Sequence, residues 1–98
     1  MKKNALNIAT FDASDYLDNE EVIAEYLTAA LENPNPDVFL VAVRDVAKAR
    51  GIATVAEKAG VGRESLYKSL RPGAQPRFDT VRRLLRALGV KLDVSPPA

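Results

Sequence analysis

Hydrophobic residues recur along this chain at helical spacing, in stretches separated by short runs rich in Gly, Pro and Asn. Val22, Ile23, Tyr26, Leu27, Ala30 and Leu31 fall at i, i+1, i+4, i+5, i+8 and i+9, one apolar stripe on a helix of about four turns. Ahead of it, Asp18 stands three residues before Glu21, the spacing of a capping box. Asn33-Pro34-Asn35-Pro36 ends this helix, and Asn35 with Pro36 at the first helical position opens the next. The run VFLVAV at 38–43 suits a buried strand as well as a helix. Its apolar pattern continues through Val46 and Ala47 to Gly51, too long for an ordinary strand, so a central helix is expected, capped by Gly51.

Thr54-Val55-Ala56-Glu57 has capping-box spacing and places the start of a third helix near residue 54. Gly60 ends it, where a positive φ is least costly. Gly62 caps a fourth helix over about 63–70, and the Pro/Gly-containing stretch 71–77 breaks it. A fifth helix carries Phe78, Val81, Leu84, Leu85 and Leu88 on one face and stops at Gly89. Strict alternation in Val90-Lys91-Leu92-Asp93-Val94 predicts a strand, and ALNIATF at 5–11 a weaker one. The strand at 90–94 has two candidate partners, residues 5–10 of the same chain or a second copy across a two-fold axis. The expected fold class is all-α, five helices with short N- and C-terminal strands. A chain of 98 residues suits one domain, with an N-terminal extension at 1–35, a helical core at 36–89 and the strand at 90–94.

The two helices flanking Gly60 are too short to be stable alone, since isolated helices need roughly 12–15 residues. They must lean on each other and on the longer helices through Val55, Ala56, Ala59, Val61, Leu66 and Leu70. This is the mechanical content of a helix-turn-helix, in which one helix braces while the second is pushed outward. The outward face of the second helix carries Arg63, Glu64, Tyr67 and Lys68, with Arg71 one turn on.

Charge sharpens this picture. The net charge is +1, yet residues 1–35 hold two Lys/Arg against seven Asp/Glu, and residues 61–91 hold eight against two. Opposite charge on two regions points to one anionic and one basic partner. The chain has no Cys and no His, which removes thiol chemistry, the commonest general base and the commonest metal ligand. No convergent carboxylates replace them, so neither an enzyme nor a cofactor is expected. The basic start lacks the apolar run of a signal peptide, and no apolar run approaches the roughly 18 residues of a membrane span. A cytoplasmic location is the expectation.

The candidate DNA-binding residues are Thr54, Arg63, Glu64, Ser65, Tyr67, Lys68, Arg71, Gln75 and Arg77. Arg63, at the first position of its helix, suits bidentate pairing with guanine, worth about 1–3 kcal/mol of discrimination. Its alternative is a surface ion pair with Glu64 or Glu57. Lys68 and Arg71 suit phosphates, as do Gln75 and Arg77 in the following loop. Glu64 fits equally a cytosine amine or plain helix-dipole complementation. Tyr67 fits a phosphate or a half-buried packing role. Arg82, Arg83 and Arg86 lie opposite the leucines of the last helix as a solvated face, with Arg82 the best placed of the three for DNA backbone. Phe39, Val41, Leu84, Leu85 and Leu88 are expected in the core.

The spacing of Ala56, Gly60 and an aliphatic at 66 resembles the repressor-type helix-turn-helix of the lambda-repressor-like (Xre-type) class. FDASDYL at 11–17, AEKAGVGRESLYKSL at 56–70, P-x-F-D-T at 76–80 and RALGVKL at 86–92 are similar to addiction-module antidote proteins, the antitoxins of small bacterial toxin–antitoxin pairs. That resemblance covers about residues 10–92. It implies a five-helix lambda-repressor-like DNA-binding domain, a homodimer on operator DNA, a RelE/ParE-like toxin partner and repression of the protein's own operon. Related domains often carry Gln at the start of the bracing helix and Ser or Thr capping the second; here those places hold Ile52-Ala53-Thr54 and Gly62. Two rivals stand beside this reading: a stand-alone transcriptional regulator, and a protein-interaction module that has lost DNA binding.

Overall fold

Asn19 opens the first helix, its side-chain oxygen accepting hydrogen bonds from the N–H groups of Glu21 at 2.8 Å and Val22 at 3.1 Å. The computed structural model describes residues 19–97, and this helix is α1 (Glu20–Leu31). Asp18 and the strand expected at 5–11 lie outside the described residues. Helix α2 (Pro36–Arg50) begins at the anticipated cap, with the Asn35 side chain accepting from Asp37 N–H at 3.0 Å. The VFLVAV run is therefore helical, and Leu40, Val43, Val46 and Ala47 are buried along it. Phe39 and Val41, expected in the core, are only half-buried. Each is rotated about 100° from Leu40, which puts them on the flanks of the buried stripe.

Helix α3 (Ile52–Ala59) starts earlier than the Thr54 capping box implied. Gly51 takes φ +102° and turns the chain directly from α2 into α3, its carbonyl accepting Val55 N–H at 3.0 Å. Thr54 consequently lies inside the first turn, and no side chain caps the helix. At the other end the Val61 N–H reaches the Ala56 carbonyl at 3.0 Å and the Gly60 N–H reaches that of Glu57 at 3.1 Å. With Gly60 left-handed at φ +71°, this is a Schellman termination. Gly60, Val61 and Gly62 are the whole connection to α4 (Arg63–Ser69). The last helix is α5 (Phe78–Ala87).

Helix α1 packs along α2, α5 packs along α3, contact between α2 and α3 joins the pairs, and α4 rests on α3. All five contribute to one apolar cluster in which Ile23, Val46, Ala47, Leu66 and Leu84 have no solvent exposure. Burying each large aliphatic side chain is worth about 1.5–3 kcal/mol. Phe78 does not join this cluster, contrary to the helical-stripe expectation: it is 67% exposed, and Arg82 lies over its ring at 6.0 Å. The stripe overshoots because Phe78 is the first helical residue, beyond the edge of the core that begins at Val81.

The described residues form five helices and no strand. The strand expected at 90–94 is absent, residues 90–97 having no regular structure. Alternation prepares only one side of a ladder, and no described strand lies beside this tail to complete it. The loop between α4 and α5 is tied down instead by Asp37, whose Oδ1 accepts the Gly73 N–H at 2.8 Å.

Candidate nucleic-acid interface

Leu66 and Leu70 are buried four residues apart and fix the rotation of α4 about its axis. Arg63, Glu64, Tyr67 and Lys68 consequently face outward, and Arg71 follows one turn on, also exposed. Ser65 is exposed on the same helix. Tyr67 is 39% exposed. Thr54 is exposed in the first turn of α3, while Gln75 and Arg77 are exposed in the loop that Asp37 anchors through Gly73. All nine candidates are therefore on the surface: five on α4, Arg71 just after it, two in the following loop and one on the neighbouring helix.

The cations at α4 stand out by their clustering on one short helix and its trailing loop, since Lys48, Lys58, Arg82, Arg86 and Lys91 are likewise exposed and without an ion pair to any described residue. Arg83 pairs with Asp79 at 3.2 Å and Arg50 with Glu20 at 3.6 Å. Arg63, Lys68, Arg71 and Arg77 form no ion pair with any described residue. The surface pair of Arg63 with Glu64 or Glu57, its alternative role, is not formed. Four exposed cations on one short helix and its trailing loop thus keep their charge for an external anion.

Arg83 is exposed on the face opposite the leucines, as its spacing implies, and it also makes contacts that the spacing does not show. Its Nη1 donates to the carbonyls of Ala59 at 3.2 Å and Gly60 at 3.4 Å, while Nε holds Asp79. The Asp79–Arg83 pair at i,i+4 is visible in sequence. The contact to Gly60, 23 residues away, is not.

The acidic side of the molecule has its own relief. Glu21, Glu25 and Glu32 are exposed on α1 or at its end. Helices α1 and α2 border a cleft of about 630 Å³ with Ala29, Ala30, Val38 and Val41 among its walls. At its rim the Tyr26 O–H donates to Asp45 Oδ2 at 3.4 Å. Among the described residues no group of His, Cys, Asp and Glu could hold a metal ion, and no helix is long and apolar enough to cross a membrane.

A family model described as "probable addiction module antidote protein" matches residues 7–96. The chain belongs to this antidote family. Membership carries an antitoxin role and, with it, a toxin partner. An uncharacterized protein of Haemophilus influenzae (strain ATCC 51907 / DSM 11121 / KW20 / Rd) is 38% identical over 84 residues, covering 86% of this chain and 87% of the relative. No solved structure matches the chain. The antidote family thus spans nearly all of the five-helix unit, including α3, α4 and the unpaired cations around them.

Proposed function

We propose that this antidote is a dimeric DNA-binding antitoxin that represses its own operon and neutralises a RelE/ParE-like toxin in the cytoplasm. In this reading α3 and α4 are a helix-turn-helix of the lambda-repressor-like, Xre-type class, with α3 bracing and α4 entering the major groove. The observation that carries the reading is the set of exposed cations without ion-pair partners, Arg63, Lys68, Arg71 and Arg77, on α4 and the loop behind it.

The roles follow from position. Arg63 opens α4, the end that approaches base edges, and its planar fork matches guanine O6 and N7. Lys68 and Arg71, further along the same face, neutralise phosphates, as does Arg77. Gln75, Ser65 and Thr54 donate neutral hydrogen bonds to phosphate oxygens. Tyr67 donates its O–H to the backbone, and Glu64 accepts from a cytosine amine. One such domain covers one groove segment, and successive major grooves on one face lie ~34–36 Å apart, which favours a two-fold dimer on a palindromic operator. The acidic residues of the 1–35 region, Glu21, Glu25 and Glu32 among them, face the toxin, where charge complementarity speeds association and selects the partner.

Alanine variants separate reading from anchoring. Arg63→Ala is expected to lower affinity for the DNA upstream of its own reading frame about 5–150-fold while hardly changing affinity for unrelated DNA. Arg71→Ala is expected to weaken both alike and to reduce the salt slope by about one. Equal effects of the two variants on both DNAs would refute these roles.

A further inference from the structure

We infer that Arg83 is a positioning residue for DNA reading: its guanidinium grips the turn between α3 and α4 and sets the direction in which α4 is presented. The inference rests on the DNA-reading role given to α4 above.

Helix α4 has 7 residues and no side-chain N-cap, so it cannot hold its own direction. Its principal neighbour is α3, and it joins α3 through Gly60, Val61 and Gly62 alone. Leu66 and Leu70 anchor α4 on the core and set its rotation, while the turn sets the point and angle at which the helix leaves α3. The last carbonyls of a helix have no intrahelical donors, and those of Ala59 and Gly60 are such acceptors at the end of α3. Arg83, on α5, supplies the donor to both through Nη1, at 3.2 and 3.4 Å. The same guanidinium is also held by Asp79, whose Oδ2 lies 3.2 Å from Nε. A hypothetical Cβ on Gly60 would lie 3.3 Å from that Nη1, so the guanidinium sits directly over the left-handed residue. One planar group thus bridges α5, which packs along α3, to the hinge from which α4 departs. A lysine has no such fork. Because its charge is engaged by a carboxylate and two helix-end carbonyls, Arg83 acts on DNA through α4 and not as a phosphate contact itself.

The test uses the full chain with Arg83→Gln and Arg83→Lys. Each is titrated against the DNA upstream of its own reading frame and against unrelated DNA across a salt series, and amide exchange of α4 is measured in the free proteins. Arg83→Gln is expected to lose about tenfold in affinity for the upstream DNA, to keep its affinity for unrelated DNA and its salt slope, and to exchange its α4 amides faster. Arg83→Lys is expected to recover only part of the loss. Unchanged affinity for the upstream DNA overturns the inference. So does equal loss on both DNAs with the slope reduced by about one, which makes Arg83 a direct phosphate contact. If Arg83→Gln does not fold, Asp79→Asn carries the same comparison with a smaller expected loss. If the wild-type protein fails to discriminate the two DNAs, it is the DNA-reading role that fails. The exchange data still decide the grip, since unchanged α4 exchange in the variants overturns it.

Discussion

Replacing Gly60 with alanine isolates the energetics of the turn between α3 and α4. Gly60 sits at φ +71° and ψ 32°, a left-handed conformation that costs an L-residue roughly 1–2 kcal/mol. The new methyl would also lie 3.3 Å from Arg83 Nη1, so the guanidinium must give by a few tenths of an ångström. Two neighbours provide controls. Asparagine tolerates the left-handed region better than alanine, so Gly60→Asn should lose less. Gly62 has φ −72°, and a Cβ placed on it would lie 3.8 Å from Ser65 Oγ, so a side chain fits there without strain. Its extended backbone is that of an N-cap, and Gly62→Ser should gain a few tenths of a kcal/mol by satisfying a free N–H of α4. Urea denaturation followed by helical circular dichroism should rank the proteins Gly62→Ser, wild type, Gly60→Asn, Gly60→Ala. The last should lie about 1–2 kcal/mol below wild type, or about 4–16 °C in Tm. A Gly60→Ala protein as stable as the Gly62→Ser protein would refute the strained-turn argument.

Other substitutions probe the core, its edge and the loop. Leu66→Ala, at a position with no solvent exposure, should cost about 2–5 kcal/mol in chemical denaturation and loosen α4 first. Phe78→Ser should change stability by no more than about 0.5 kcal/mol, because the residue is already 67% exposed; a core-sized loss would contradict its placement. Asp37→Ala removes the acceptor of Gly73 N–H and should speed amide exchange at Gly73, with a stability loss of about 1 kcal/mol or less at this exposed site.

The helices were legible because the chain punctuates them with residues whose backbone preferences are strong. Asn35-Pro36, Gly51, Gly60 and Gly89 all stand at or beside helix ends, and the length of the apolar run decided VFLVAV in favour of a helix. Burial of Leu66 and Leu70 leaves Arg63, Glu64, Tyr67 and Lys68 outside, so the candidate face was also visible in the spacing. What failed was what depends on distant partners. Thr54-Val55-Ala56-Glu57 is a sound local cap, but Gly51 with a positive φ starts the helix before it can act. The alternation at 90–94 could not reveal whether a second strand lies alongside. Phe78 sits on the correct stripe yet past the end of the core. The grip of Arg83 on Ala59 and Gly60 joins residues that only the packing of α5 along α3 brings together.

The most direct test of the DNA-reading role is a titration of the purified protein, from low to moderate salt, against the DNA upstream of its own reading frame and against unrelated DNA. With Lys68, Arg71 and Arg77 on phosphates in each protomer of a dimer, log K should fall against log salt with a slope of about −5, and the upstream DNA should bind at least about a thousandfold more tightly. A shallow slope and equal, weak binding to both DNAs would contradict the account and leave the antidote role to its acidic surface alone.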